Sequence, residues 1–167
     1  MTKPAPPHAI DLLDADHLQI HGLFQAYREL VRLRAPALQR RTLAEEICLE
    51  LTIHAKVEEE LFYPLVREAL QDDDLLDESE EQHGSARDFV AQILASPPED
   101  ELYDAKVQVL AEYVERHVRQ EREQVFNRVL ASGLDLHSLA RAINVRREEL
   151  RSVADALRED ALASATA

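Results

Sequence analysis

Apolar residues along this chain recur at spacings of three and four, the period of an α-helix rather than of a strand. A first stripe runs Ile10, Leu13, Ile20, Phe24, Tyr27, Val31, and a second runs Leu43, Ile47, Leu51, Leu61, Phe62, Leu65. A third runs Leu76, Ala86, Val90, Ile93, and a fourth Leu110, Val114, Val125, Val129. A fifth carries Leu139, Ile143, Leu150, Val153 and Leu157. Prolines at 4, 6 and 7 keep the opening residues out of a helix, Pro36 ends the first helix, and Pro97 and Pro98 follow the third. Pro64 predicts a kink near the end of the second, which extends to about Leu70. Acidic runs at Asp72, Asp73, Asp74 and at Glu99, Asp100, Glu101 open the third and fourth helices, where negative charge suits the helix dipole. Gly133 reads as the C-terminal cap of the fourth. With 3 glycines in 167 residues, sheets and their tight turns are poorly provided for.

The expectation is therefore an all-α fold: an antiparallel up-down-up-down four-helix bundle over residues 10–131 with an appended C-terminal fifth helix over 135–160. Residues 1–9 read as a disordered leader and 161–167 as a frayed tail. The fifth helix is expected to pack across one end of the bundle, with a homodimer contact as the alternative. The balance of 19 basic against 33 acidic residues, a net charge of −14, argues against nucleic acid and against an anionic membrane surface as partners. One cysteine, Cys48, cannot form an internal disulfide and reads as a small buried hydrophobe. No apolar run approaches the roughly 18–20 residues that span a bilayer, and the chain does not open like a signal peptide. A cytoplasmic protein is expected.

The interruptions of the stripes carry the chemistry. The core face of the first helix reads Leu13, His17, Ile20, and that of the second Leu51, His54, Glu58, Leu61. The third reads Leu76, Glu80, His83, Ala86, and the fourth Leu110, His117, Glu121, Val125. Each helix puts an imidazole where the pattern requires a hydrophobe, and two follow it with a carboxylate one turn later on the same face. Any one of these could be a structural pair or a satisfied core histidine. Four helices interrupted at mid-length share one remedy, because an unpaired buried carboxylate costs several kcal/mol. The chain also repeats itself: His17 then His54-x-x-x-Glu58, and His83 then His117-x-x-x-Glu121. Two such halves around a pseudo-two-fold axis would gather four imidazoles and two carboxylates. Such a donor set suits a pair of iron, manganese or zinc ions better than magnesium or calcium.

The motifs resemble those of the hemerythrin-like, or HHE cation-binding, domain family. The matching residues are Asp16-His17, His54-x-x-x-Glu58-Glu59 with Phe62-Tyr63-Pro64, Glu81-Gln82-His83, and His117-x-x-x-Glu121, spanning roughly residues 10–131. The resemblance implies a non-haem di-iron centre, with iron ranked ahead of manganese and zinc. His17, His54, His83 and His117 would be terminal ligands, and Glu58 and Glu121 would bridge beside a solvent-derived oxo or hydroxo. The oxygen-carrying members place a second histidine one turn after that of the third helix, where this chain has Arg87. They use an aspartate five residues after the last histidine, where this chain has Glu121 at four. His21, Glu80, Arg87 and Tyr113 are additional candidates to complete or buttress the shell. Ferritin-like di-iron oxidases are a competitor, but their Glu-x-x-His signature occurs near the site only as Glu80-x-x-His83.

The function expected from this resemblance is binding of dioxygen or a related small oxidant such as nitric oxide or peroxide. The alternatives are an iron- or oxygen-responsive sensor or interaction module, whose fifth helix reports occupancy, and a di-iron oxidase or peroxidase. Whether the chain is an enzyme is left open.

Overall fold

A computed structural model of the protein describes residues 3–165, which hold helices and no strand. In chain order they are α1 (Ala9–Arg32), α2 (Ala37–Val57), α3 (Tyr63–Leu70), α4 (Asp73–Ala95), α5 (Tyr103–Gln120), α6 (Asn127–Leu130), α7 (Leu136–Ser152) and α8 (Ala154–Ala165). α2 runs into α3 through a wide π turn at Glu58–Phe62, and α5 into α6 through a second at Glu121–Phe126. The result is the four long rods expected, with the bundle order α1, α2, α4, α5 around the ring.

The helix starts follow from local chemistry. His8, expected in a solvated leader, instead caps α1: its ring accepts from Asp11 N–H, and the Asp11 carboxylate accepts from His8 N–H at 2.9 Å. Asp72 caps α4 by accepting from Leu75 N–H, and Asp135 caps α7 by accepting from Ser138 N–H at 2.9 Å. Gly133, at φ 77°, makes the left-handed bend between α6 and α7. Residues 1, 2, 166 and 167 of the expected leader and tail lie outside the described residues. The helix continues to Ala165, through most of the stretch expected to fray.

The two π turns are the local departures that matter. Pro64 has no N–H to return to the preceding turn, and the Tyr63 N–H bonds back to the Glu58 carbonyl. The expected kink is thus a widening just ahead of the proline. The second π turn contains no proline. Both begin at one of the motif glutamates. An extra residue in a helical turn shifts the phase of everything after it, so Phe62 and Tyr63, four and five residues past the buried Glu58, are both buried.

The fifth helix is not one rod across the end of the bundle. It breaks at Val153, where φ is −118° and ψ 29°, and its two halves run lengthwise along the bundle. α7 lies on α1, α2 and the first π turn, and α8 lies against α4 and α2. Arg146 pairs with Glu60, Arg151 with Glu50 and Arg158 with Glu45, so the pair descends antiparallel to α2. The apolar residues Leu139, Ile143, Leu150 and Leu157 join the core cluster of Ile10, Leu13, Val57 and Phe62.

The core has two parts. One cluster includes Leu13, Val57, Phe62, Leu76 and Val125, and the other Ile20, Leu51, Val90 and Leu110. On every bundle helix the histidine falls between a residue of one cluster and a residue of the other. No helix among the described residues is long and apolar enough to cross a membrane.

Candidate metal centre

All six residues singled out by the stripes meet in the layer between the two apolar clusters. His17, His54, His83, His117, Glu58 and Glu121 are all buried, and the two glutamates are 0% exposed. His17 and His54 face each other through Nε2 at 3.1 Å, with ring centroids 4.8 Å apart and an interplanar angle of 65°. His83 and His117 repeat the arrangement: Nε2 to Nε2 at 3.1 Å, centroids 4.6 Å apart, 61° between planes. The internal repeat of the sequence is thus a repeat in space. Glu58 joins the halves, with Oε1 3.1 Å from His54 Nε2 and Oε2 3.1 Å from His83 Nε2. Glu121 does the same from the other side, with Oε2 3.2 Å from His17 Nε2 and 3.6 Å from His117 Nε2.

Three of the four rings are held from behind. His54 Nδ1–H donates to Asp16 Oδ2 at 3.1 Å, His83 Nδ1–H to Glu59 Oε1 at 3.0 Å, and His117 Nδ1–H to Gln82 Oε1 at 2.8 Å. These acceptors fix the proton on Nδ1 and turn the Nε2 lone pair inward. Asp16 is itself bonded by Arg147, and Glu59 by Arg87 at 2.5 Å. His17 differs: its buried Nδ1 has no hydrogen-bond partner and stands 3.8 Å from Asp14.

This donor set fits a cation. With both Nδ1–H groups donated outward, neutral His83 and His117 oppose two Nε2 lone pairs at 3.1 Å. The buried oxygens Glu58 Oε1 and Glu121 Oε2 accept no hydrogen bond despite their nearby nitrogens. Positive charge between them resolves both problems. Two sets of ligand atoms, each within 4.8 Å, can hold one: His17, His54, Glu58 and Glu121, and Glu58, His83 and His117. Glu58 belongs to both sets, which is the geometry of a bridge.

Without a cation, protons take that role. Burial disfavours a charged His54, but Glu58 and Asp16 outweigh it and push the ring up to about 10. Burial likewise opposes His83, and Glu58 and Glu59 raise it to about 9. Burial also opposes ionisation of Glu58, and the imidazoles of His54, His117 and His83 hold its carboxyl well below the usual carboxylate range.

The sequence did not single out Tyr63 for a role, although it lies in a quoted motif. Its hydroxyl donates to Glu58 Oε2 at 3.0 Å and stands 3.3 Å from His83 Nε2 and 3.4 Å from Glu121 Oε1. Burial, then the carboxylates of Glu121 and Glu58, push the phenol well above its usual range, so it stays protonated. Asp16, Glu59 and Gln82 also adjoin motif residues. Their only signal was that adjacency, because each reaches a histidine on a different helix.

The additional candidates fall around the centre, not in it. His21 is 48% exposed, 3.8 Å from Glu115 on the outer face of α1, and Glu80 pairs with Arg67 at 3.0 Å. Arg87 and Tyr113 line a cavity of about 110 Å³ that reaches His17, His54, His83 and His117 between walls of Ile20, Leu51, Ala86, Val90 and Val114. Tyr113 is 38% exposed and packs on Phe89 with centroids 5.4 Å apart.

Comparison with known proteins agrees with this geometry. A protein described as a DNA nickase, from Nostoc sp., is 33% identical over 116 residues, which cover 70% of this chain and 32% of that one. The chain thus spans about a third of the length of that relative. The crystal structure of a hemerythrin HHE cation-binding domain-containing protein from Mycobacterium kansasii superposes with a TM-score of 0.74 at 22% identity, covering 94% of this chain and 100% of that one. The profile of the hemerythrin HHE cation-binding domain matches residues 8–129, which include all six converging residues. The chain belongs to the hemerythrin HHE cation-binding domain family.

Proposed function

We propose that the protein is a non-haem di-iron protein that binds dioxygen or a related small oxidant, nitric oxide or peroxide, at the His/Glu centre. The observation that carries this reading is the pair of facing imidazoles in each half, joined by two buried glutamates, at the floor of an apolar cavity. His17 and His54 would hold one ion, His83 and His117 the other, with Glu58 and Glu121 shared. A mixed imidazole and carboxylate set favours iron over magnesium or calcium, with manganese and zinc ranked behind iron. When bound, a ferrous pair supplies the two electrons needed to reduce an oxidant.

The chain's own residues do the rest. Ile20, Leu51, Val90 and Val114 exclude water and admit a small molecule of low polarity. Asp16, Glu59 and Gln82 orient the rings before any ion arrives. Tyr63 holds a proton at Glu58 Oε2, within the layer where charge would develop. A nucleic-acid role is not carried over from the nickase relative, because the chain covers 32% of it and carries a net charge of −14. A cytoplasmic setting, expected from the lone cysteine, belongs to the same reading.

The test is metal analysis with an optical spectrum, on protein purified anaerobically from iron-replete cells and then exposed to air. Two irons per chain and new near-ultraviolet charge-transfer absorption are expected. An iron-free protein, or a spectrum unmoved by air, would overturn the reading. A metal- or oxidant-responsive module is the second reading, favoured by the contact of α7 with Asp16 beside the centre.

A further inference from the structure

The arginines behind the residues that hold the histidines come from two different parts of the molecule. Glu59 and its arginine, Arg87, both belong to the bundle. Asp16 also belongs to the bundle, but the arginine on it does not. Arg147 comes from α7, beyond residues 8–129 of the family match. Its guanidinium donates to Asp16 Oδ2, the same oxygen that accepts His54 Nδ1–H at 3.1 Å, and to the Leu12 carbonyl at 3.1 Å. Both partners are largely covered, with side chains 16% and 18% exposed. Four arginines staple α7 and α8 to the bundle, through Glu60, Asp16, Glu50 and Glu45. Of these carboxylates only Asp16 touches a histidine of the centre. The arginine row thus has one member with a different consequence.

We infer that Arg147 is a positioning residue for the metal centre, which couples the docking of α7 to the loading of the His17/His54 half. The inference rests on the reading of the His/Glu layer as a two-ion centre. The physical chain is short. Arg147 fixes Asp16, Asp16 fixes the proton and the plane of His54, and His54 offers Nε2 to the ion. A carboxylate released from its arginine gains freedom to leave the ring, and loss of such an outer hydrogen bond costs about 10- to 100-fold in metal affinity. Coupling between two binding events is reciprocal, so an ion that needs His54 in place must also hold α7 down. The His83/His117 half makes its outer hydrogen bonds to Glu59 and Gln82 and feels this contact only through the shared Glu58.

Anaerobic titration of the metal-stripped full chain with ferrous iron, followed by Mössbauer spectra and by hydrogen exchange with and without iron, tests the coupling. In Arg147→Ala, affinity for one of the two irons falls about 10-fold or more and one of the two spectral components changes. Arg147→Lys restores part of the loss. Asp16→Asn, which cuts the same link from the bundle side, matches Arg147→Ala and serves if that variant does not fold. Arg158→Ala breaks the staple to Glu45 and leaves both affinities at the wild-type level. Iron slows exchange over residues 136–152 in the wild type and fails to do so in Arg147→Ala. Equal effects of Arg147→Ala and Arg158→Ala, wild-type affinity in Asp16→Asn, or exchange over 136–152 indifferent to iron in the wild type would each overturn the coupling alone. A wild-type chain that binds no iron would overturn the two-ion reading beneath it.

Discussion

His17 and His54 meet nitrogen to nitrogen, Nε2 to Nε2 at 3.1 Å, in a buried layer of the core. That contact needs a hydrogen between the two nitrogens or a metal ion in its place, and Glu58 and Glu121 at the same spot favour added positive charge. The two occupants compete, and their competition gives the centre its pH dependence.

In the metal-free protein His54 is pushed up to about 10 and His83 to about 9, against an unfolded value near 6.5. A folded-state pKa raised above the unfolded one gives stability that is complete below about pH 6.5 and is lost as the pH climbs through 9–10. Urea denaturation of stripped protein should therefore show stability falling across that window. Iron affinity should rise over the same window, because each ligand ring must first lose its proton. Stripped protein that gained stability between those pH values would contradict the assignment.

Loading the centre should stabilise the fold by mass action. At a free iron concentration 100 times Kd the gain is about 2.7 kcal/mol. For a chain of this size that corresponds to about 5–11 °C in Tm. Calorimetry of loaded and stripped samples measures it, and coincident transitions would count against a site in the core.

Glu58→Gln removes the carboxylate that both halves share. The amide nitrogen cannot accept, so one of the two imidazole pairs loses its oxygen. Iron stoichiometry should fall below two, with affinity reduced at least about 100-fold. In stripped protein the His54 titration, followed by NMR, should move down towards the ordinary imidazole value, since Glu58 leads the influences that raise it. A His54 titration unchanged by Glu58→Gln would refute that cause.

Tyr63→Phe deletes a buried donor and leaves Glu58 Oε2 without the hydroxyl that faces it at 3.0 Å. The expected cost to the stripped protein is about 1–3 kcal/mol, read from the urea midpoint. Val114→Phe tests the cavity instead. It should leave iron content alone and slow the spectral response to dioxygen or nitric oxide about tenfold, roughly 1.4 kcal/mol of barrier.

Reading the stripes along the chain brought the four rods and all six converging residues into view, because burial and helical phase write themselves into spacing. His21 shows where spacing stops being informative. It follows His17 by the same four-residue step that keeps Glu58 at His54 and Glu121 at His117, yet it lies on the outer face beside Glu115, so the step alone does not tell the two outcomes apart. The π turn at Glu121–Phe126 has no proline or glycine to announce it. The break at Val153 is equally silent, since its flanking residues are ordinary helix formers. The hydrogen bonds behind the rings join residues 24 to 38 positions apart, on different helices. Only the assembled bundle can say which carboxylate faces which ring.

The placement of the His/Glu layer between two separate apolar clusters has a mechanical consequence. A rod of four helices crossed at its waist by six ionisable side chains is, in its stripped form, two short oil drops joined by shared backbone. Cations held there would tie all four helices together at that waist and make the halves respond as one body. Stripped protein should then unfold with a van't Hoff enthalpy smaller than its calorimetric enthalpy, and loaded protein with the two in agreement. The ions would serve as the keystone of an arch as well as the seat of its chemistry.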